Sequence, residues 1–289
     1  MQIFADGDPQ IQNFAQGTFW QVIHVGTDPV LLCVRSRGDV EQPVLEYSVT
    51  AARDLGVSER AEGGRKAARI LTLGVDLERF YHETEGDPVL HTITRELRGL
   101  RTPTTESVFE ALVDSIIEQQ ISLQVAWTMQ ERLIRAFGDP LTVGTQTFYG
   151  FPSPSRLAGV TSEQMRTTGL SRRKIEYIRG VASLIEGEGF DLEHLGDGRD
   201  SSAVLDSLQE IRGVGRWTAE LTLVRGMQRF DAFPADDLGL RRHIGRFYRA
   251  GEHVNAEEAR AIAERWGAWK GLAGFYLIVA DRSGVEGLD

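Results

Sequence analysis

The chain has 289 residues, 41% of them hydrophobic, and is long enough to bury a sizeable core. Its 32 basic and 42 acidic side chains leave a net charge of −10, which argues against nucleic-acid binding driven by overall charge. A lone cysteine, Cys33, rules out an internal disulfide and a thiolate-held iron–sulfur cluster or zinc site.

Residues 1–10 carry Asp6 and Asp8 and no apolar core, so they do not read as a secretory signal. No later apolar run approaches the roughly 18 residues that span a bilayer. The expectation is a soluble, cytoplasmic protein. Residues 19–25 and 30–35 are rich in β-branched and aromatic side chains, and Gly26-Thr27-Asp28-Pro29 between them reads as a turn. Cys33 falls in the second of these runs and is expected as a buried strand residue. Residues 44–49 suggest a third strand, and residues 58–73, charged and Ala-rich, a helix.

From Asp76 onward the pattern turns helical. Asp76 opens a short helix. Val108, Leu112 and Ile116 recur at every fourth position, as do Val113, Ile117 and Ile121, which predicts one long helix running to Phe137 before Gly138-Asp139-Pro140. Further helices are predicted over 162–168, 171–186, 202–211, 216–230, 238–249, 255–266 and 272–279. The fold class expected is α+β. A small N-terminal domain with a mixed antiparallel sheet (1–75) precedes an all-α, two-lobed domain (76–289) with the active-site cleft between its lobes. Basic residues cluster within the acidic chain. Residues 238–250 hold Arg241, Arg242, Arg246 and Arg249 with no acid, and residues 165–182 hold Arg166, Arg172, Arg173, Lys174 and Arg179 against Glu176 alone.

The stretch Leu208-Gln209-Glu210-Ile211-Arg212-Gly213-Val214-Gly215-Arg216-Trp217-Thr218-Ala219 reads as a helix, a tight turn with two glycines and a second helix. Gly213 and Gly215 lack a Cβ, so the backbone turns sharply and can approach a ligand closely. Amides at the start of the second helix, Thr218 included, face outward at the positive end of a helix dipole, which suits a phosphate and needs no net positive charge. Twenty residues after Trp217 comes Phe233-Pro234-Ala235-Asp236-Asp237-Leu238, followed by Arg241 and Arg242.

This arrangement resembles the helix-hairpin-helix, Gly/Pro…Asp superfamily of DNA base-excision glycosylases. Glu118-Gln119-Gln120-Ile121-Ser122, Thr168-Gly169-Leu170-Ser171-Arg172-Arg173-Lys174 and Trp266-Gly267-Ala268-Trp269-Lys270 are similar to the 3-methyladenine DNA glycosylase II, or AlkA-like, branch. The resemblance covers residues 76–283 well and the first 75 loosely. It implies a monomer acting on double-stranded DNA that contains alkylated bases, with no membrane and no obligatory protein partner. In the lyase branches of the superfamily a lysine lies two residues after the second hairpin glycine. Here Trp217 stands at that position, and a tryptophan forms no imine. The resemblance therefore implies hydrolysis of the N-glycosidic bond without strand cleavage.

The same resemblance implies the site residues. Asp237 is the catalytic carboxylate, with Asp236 its neighbouring competitor; an N-cap for the helix at Leu238 is the structural reading of Asp237. Trp217, Tyr276 and Phe233 are expected to wall an electron-rich base pocket that favours a cationic purine, and each has a core role as its alternative. Ile278 stands where some relatives place an aromatic. Gln120 corresponds to the wedge that fills the gap left by a flipped base, with a polar helix surface as its alternative. Gly213, Gly215, Thr218, Arg241 and Arg242 are the expected phosphate contacts. Na+ or K+ at the carbonyls of Gln209, Ile211 and Val214 is the one ion the resemblance allows, with no other cofactor. A catalytically inert helix-hairpin-helix DNA-binding module is the competing class, disfavoured by the retained Asp237. An oxidised-purine glycosylase with lyase activity is opposed by Trp217.

Overall fold

The computed structural model describes residues 7–39 and 42–285. Residues 1–6, most of the stretch read as lacking a signal core, lie outside the described residues. Four antiparallel strands open the chain: β1 (Gln12–Ala15), β2 (Thr18–Val25), β3 (Asp28–Ser36) and β4 (Leu45–Thr50), in that order across the sheet. Val25 pairs with Asp28, so the β2–β3 turn is only Gly26-Thr27, tighter than expected, and Pro29 joins the strand. β1 was not anticipated, because Gln12 and Asn13 carry no strand preference. Cys33 sits on β3 opposite Trp20 and Ser48, half-buried rather than buried, and its burial pushes the thiol pKa up.

Helix α1 (Val57–Ile70) follows the sheet. Then α2 (Leu77–Thr84) and α3 (Pro88–Glu96) start at aspartates: Asp76 accepts the Arg79 amide at 3.0 Å, and Asp87 accepts those of Val89 and Leu90 at 3.1 Å each. The long helix predicted over 108–137 is broken in two. α4 (Val108–Glu118) ends, Gln120 takes a left-handed φ of 58°, and Ser122 caps α5 (Leu123–Phe137). The four-residue apolar repeat runs through this break, which is why it does not show in the sequence. A hairpin, β5 (Pro140–Val143) with β6 (Gln146–Tyr149), comes next, then α6 (Pro154–Gly159), α7 (Ser162–Arg166) and α8 (Arg172–Glu188). The last five helices are α9 (Ser201–Gln209), α10 (Arg216–Met227), α11 (Leu238–Tyr248), α12 (Ala256–Ala263) and α13 (Lys270–Arg282), with a 3-10 segment at Glu264–Trp269 before the last. Among the described residues no helix is long and apolar enough to cross a membrane.

The chain divides into two compact units, each discontinuous in sequence. The first joins the residues up to Ile70 with Val113–Leu192, and the second joins Leu71–Leu112 with the residues from Glu193 onward. This differs from the single cut expected at 75/76. Within the first unit the β5–β6 hairpin is one reason: its Leu141 and Phe148 pack on Val22 and Leu31 of the sheet, and the Tyr149 amide donates to the Gln10 carbonyl at 2.8 Å. The second unit is built on its own core, in which Phe80, Leu90, Ile93, Phe233, Trp266 and Tyr276 are buried together. Burying each such side chain contributes roughly 1.5–3 kcal/mol. The loop after α10 joins this core through Phe230, Phe233 and Ala235.

Candidate active site

The hairpin lies in the second unit. α9 starts at Asp200, whose carboxylate accepts the Ala203 amide at 2.7 Å. The chain then turns: the Ile211 amide donates to the Leu208 carbonyl at 3.2 Å, and the Val214 amide to the Ile211 carbonyl at 3.0 Å. Ile211 and Val214 are buried and anchor the turn from inside. Gly213 has a φ of 91°, where an L side chain is strained. Gly215, the residue at the start of α10, is extended at φ −87° and ψ 175°, and no side chain caps the helix there. A Cβ on Gly215 would meet nothing within 4 Å. The two glycines therefore serve different ends: Gly213 makes the turn, and Gly215 keeps the helix start open. An uncapped N-terminus with no side chain in front of it is where an anion fits.

Asp237 follows α10 at the end of a tight loop. Its amide donates to the Pro234 carbonyl at 2.9 Å, and the Ala235 amide donates to the Phe233 carbonyl at 2.8 Å. Oδ1 accepts the Leu240 amide at 2.8 Å and so caps α11. Oδ2 accepts the indole N–H of Trp217 at 3.1 Å. The helix cap and the Trp217 indole meet at one half-buried carboxylate, and each oxygen keeps a second lone pair free of these bonds. Asp236, by contrast, is 53% exposed and lies 3.9 Å from Arg260.

The other expected site residues fall into two groups. Trp217 and Ile278 are partly exposed. Tyr276 and Phe233 are core residues rather than open pocket walls. Tyr276 is 0% exposed, with its hydroxyl donating to the Leu100 carbonyl at 2.7 Å and its ring 5.1 Å from that of Phe80. Phe233 is 2% exposed and packs edge-on against Trp266 at 5.7 Å. Neither has a free face for a base. The Thr218 side chain is 2% exposed and packed inside the unit, so a phosphate contact there would fall to its backbone amide. Arg242 is exposed, while Arg241 is half-buried with Nε lacking a hydrogen-bond partner. Gln209 is exposed, and the Ile211 carbonyl already accepts the Val214 amide. In the first unit, Gln120 is exposed in the turn between α4 and α5.

Sequence reasoning missed Glu220, a buried carboxylate on α10 paired with Arg216 and Arg260, and read Lys174 as part of a basic cluster, whereas it is buried with its Nζ donating to the Ile117 carbonyl at 2.7 Å. The sequence contains three lysines, Lys66, Lys174 and Lys270. Lys174 is buried, with its pKa lowered by that burial; Lys270 is bound to Glu264 at 2.7 Å; and Lys66, on α1, is also partnered. None is in the hairpin.

Residues 113–268 match the HhH-GPD superfamily of base excision DNA repair proteins, and the chain belongs to that superfamily. It is 32% identical to a DNA-3-methyladenine glycosylase of Bacillus subtilis over 202 residues, which cover 70% of this chain and 66% of that protein. The chain thus spans just under two thirds of that relative's length. A protein of Methanothermobacter thermautotrophicus named a probable N-glycosylase/DNA lyase is 29% identical over 242 residues, covering 76% of this chain and 75% of its own length. The solved 3-methyladenine DNA-glycosylase of Archaeoglobus fulgidus superposes with a TM-score of 0.83 at 31% identity, covering 95% of this chain and 90% of that one.

Proposed function

We propose that this protein is a monofunctional DNA glycosylase that excises alkylated bases from duplex DNA, with Asp237 as its catalytic carboxylate. The observation that carries the reading is the hydrogen bond from Trp217 to Asp237 at 3.1 Å. It joins the residue in the lyase-lysine position, a tryptophan that carries no amine, to the carboxylate of the loop. The names of the Bacillus and Archaeoglobus relatives agree with the alkylated-base substrate. The name of the Methanothermobacter relative includes a lyase. Against a lyase here stand the positions of the three lysines: Lys174 and Lys270 are bound elsewhere, and Lys66 lies on α1, outside the hairpin.

In this reading the bond between C1′ and the base nitrogen breaks, its electron pair leaves with the base, and positive charge builds on the deoxyribose. The Asp237 carboxylate lies against that charge and stabilises it. Water adds its oxygen to C1′ and releases its proton to solvent, so the sugar ends as the neutral hemiacetal and the alkylpurine as the neutral free base. An N3- or N7-alkylated purine is cationic before cleavage and leaves as a neutral base, so no separate general acid is needed. Trp217 holds the carboxylate through its N–H and offers its half-open ring to the cationic base. Gly215, the first turn of α10 and Arg242 grip the phosphate, joined by Arg241. The exposed Gln120 fills the gap left by the flipped base, and its strained φ of 58° is the kind of backbone cost that gathers at functional turns. A monovalent cation at the carbonyls of Gln209, Ile211 and Val214 would add positive charge beside that phosphate. The protein acts as a monomer in the cytoplasm and needs no other cofactor.

The test is chromatography of bases released from methylated DNA, run beside borohydride trapping. We expect free 3-methyladenine and 7-methylguanine, no covalent protein–DNA adduct, and no strand cleavage without added alkali. A trapped adduct would overturn the monofunctional assignment. Release of no base at all by the intact protein would leave the inert DNA-binding module as the better reading.

A further inference from the structure

Asp237 is only as well placed as the loop that carries it, and α13 and α12 hold the two ends of that loop. At its start, the Gly271 amide of α13 donates to the Phe230 carbonyl at 2.7 Å, and a Cβ on Gly271 would lie 3.0 Å from the Ala232 carbonyl oxygen. The end nearer Asp237 is held by Arg260 of α12. Arg260 Nη1 donates to the Phe233 carbonyl at 3.3 Å, and Nη2 lies 3.9 Å from Asp236 Oδ2. Arg260 is itself fixed by Glu220, to which Nη1 donates at 2.8 Å and Nη2 at 3.5 Å. The Glu220 side chain is only 4% exposed. Its Oε1 also accepts Arg216 Nε at 3.0 Å, and Arg216 is the first residue of α10, directly after Gly215.

Resting on the glycosylase reading, we infer that Glu220 and Arg260 are positioning residues for Asp237. One buried carboxylate ties the phosphate-gripping start of α10 to the loop that presents the catalytic carboxylate. A buried charge pair is a poor way to gain stability, since its desolvation offsets much of the attraction. It is a good way to fix geometry, because a guanidinium fork accepts few orientations. Here the fork points one edge at Glu220 and shares Nη1 with the main chain of the loop. A misplaced carboxylate loses transition-state stabilisation while ground-state binding persists.

The test uses the full chain and compares the wild type with Arg260→Lys, Arg260→Gln and the double variant Glu220→Gln/Arg260→Gln. Lysine keeps the charge without the fork; the double variant leaves no buried charge unpaired, because Arg216, which also loses Glu220, is 52% exposed to water, so it guards against simple unfolding. Single-turnover excision at saturating enzyme is measured well below each melting temperature, alongside affinity for abasic-site DNA. We expect Arg260→Gln and the double variant to lose at least about tenfold in rate with affinity changed less than about threefold, and Arg260→Lys to fall between them and the wild type. A double variant that melts near the wild type and excises at the wild-type rate overturns the positioning role. Equal losses in rate and affinity overturn it too. If the wild type releases no base, it is the glycosylase reading that fails, and this inference falls with it.

Discussion

Both oxygens of Asp237 are engaged, Oδ1 by the Leu240 amide and Oδ2 by the Trp217 indole, and this changes what an asparagine does there. If the amide oxygen keeps the cap, the NH2 faces another donor at Trp217; if it turns to Trp217, the cap is lost. Either way Asp237→Asn removes the charge and one hydrogen bond together. Trp217→Phe removes the bond and keeps charge, cap and ring. Single-turnover excision of a weakly activated base should fall at least about 10² in Asp237→Asn and less than about tenfold in Trp217→Phe. Asp236→Asn should retain most activity. Equal losses at Asp237 and Trp217 would mean that orientation, not charge, is what the carboxylate contributes. The hairpin glycines separate in the same way. Gly213→Val forces a side chain onto a φ of 91° and should lower the melting temperature, whereas the Cβ of Gly215→Val meets no atom within 4 Å, so this variant should melt like the parent while binding duplex DNA more weakly. Duplex binding unchanged in Gly215→Val would remove the close phosphate approach.

At the scale of elements, the turn between α4 and α5 makes a prediction of its own. Gln120 holds a left-handed φ without being glycine, at a cost of order 1 kcal/mol. Gln120→Gly relieves that strain and deletes the side chain; Gln120→Ala deletes the side chain alone. The glycine variant should melt no lower than the parent. Both should lose excision on duplex more than on single strands, because only a duplex leaves a gap and an orphaned partner base. Equal loss on the two substrates would end the wedge role. This turn also marks where the sequence stops being readable. Local signals carried well: Asp76, Ser171 and Asn255 stand before apolar periodic runs, and each caps a helix. The break at Gln120 did not show, since Val113, Ile117 and Ile121 keep the helical repeat across it. Phe233 and Tyr276 could not be sorted from pocket aromatics either, because composition says that a ring is buried but not what it is buried against. Trp217 and Asp237 were both legible as motif residues, yet their hydrogen bond spans twenty positions. The Arg260–Glu220 pair spans forty, and only the Arg216–Glu220 spacing of four on one helix gave any hint of it.

Across the whole molecule, the glycosylase reading asks an acidic chain to grip DNA, which puts the grip on local features rather than on overall charge. With 42 acidic against 32 basic side chains, duplex approach gains nothing from overall charge. What the second unit offers instead is local: the uncapped start of α10 behind Gly215, the exposed Arg242, and the half-buried Arg241. Arg216 is shared with Glu220 at 3.0 Å, so its charge is partly committed. Binding affinity falls with salt in proportion to the number of phosphates neutralised, with a log–log slope of about −0.9 for each in duplex DNA. Two or three arginines and one helix terminus therefore predict a slope no steeper than about −4. Arg242→Ala should make the slope shallower by about 1, because it deletes one released counterion. Gly215→Val should weaken binding at every salt concentration with less effect on slope, because it blocks backbone amides rather than removing a full charge. Fluorescence anisotropy of an abasic-site duplex over a salt series measures all three. A slope near −8 would demand an extended basic face and would contradict the few-contact grip. An Arg242→Ala slope equal to the parent's would take that arginine off the phosphate and leave the helix start as the principal anchor.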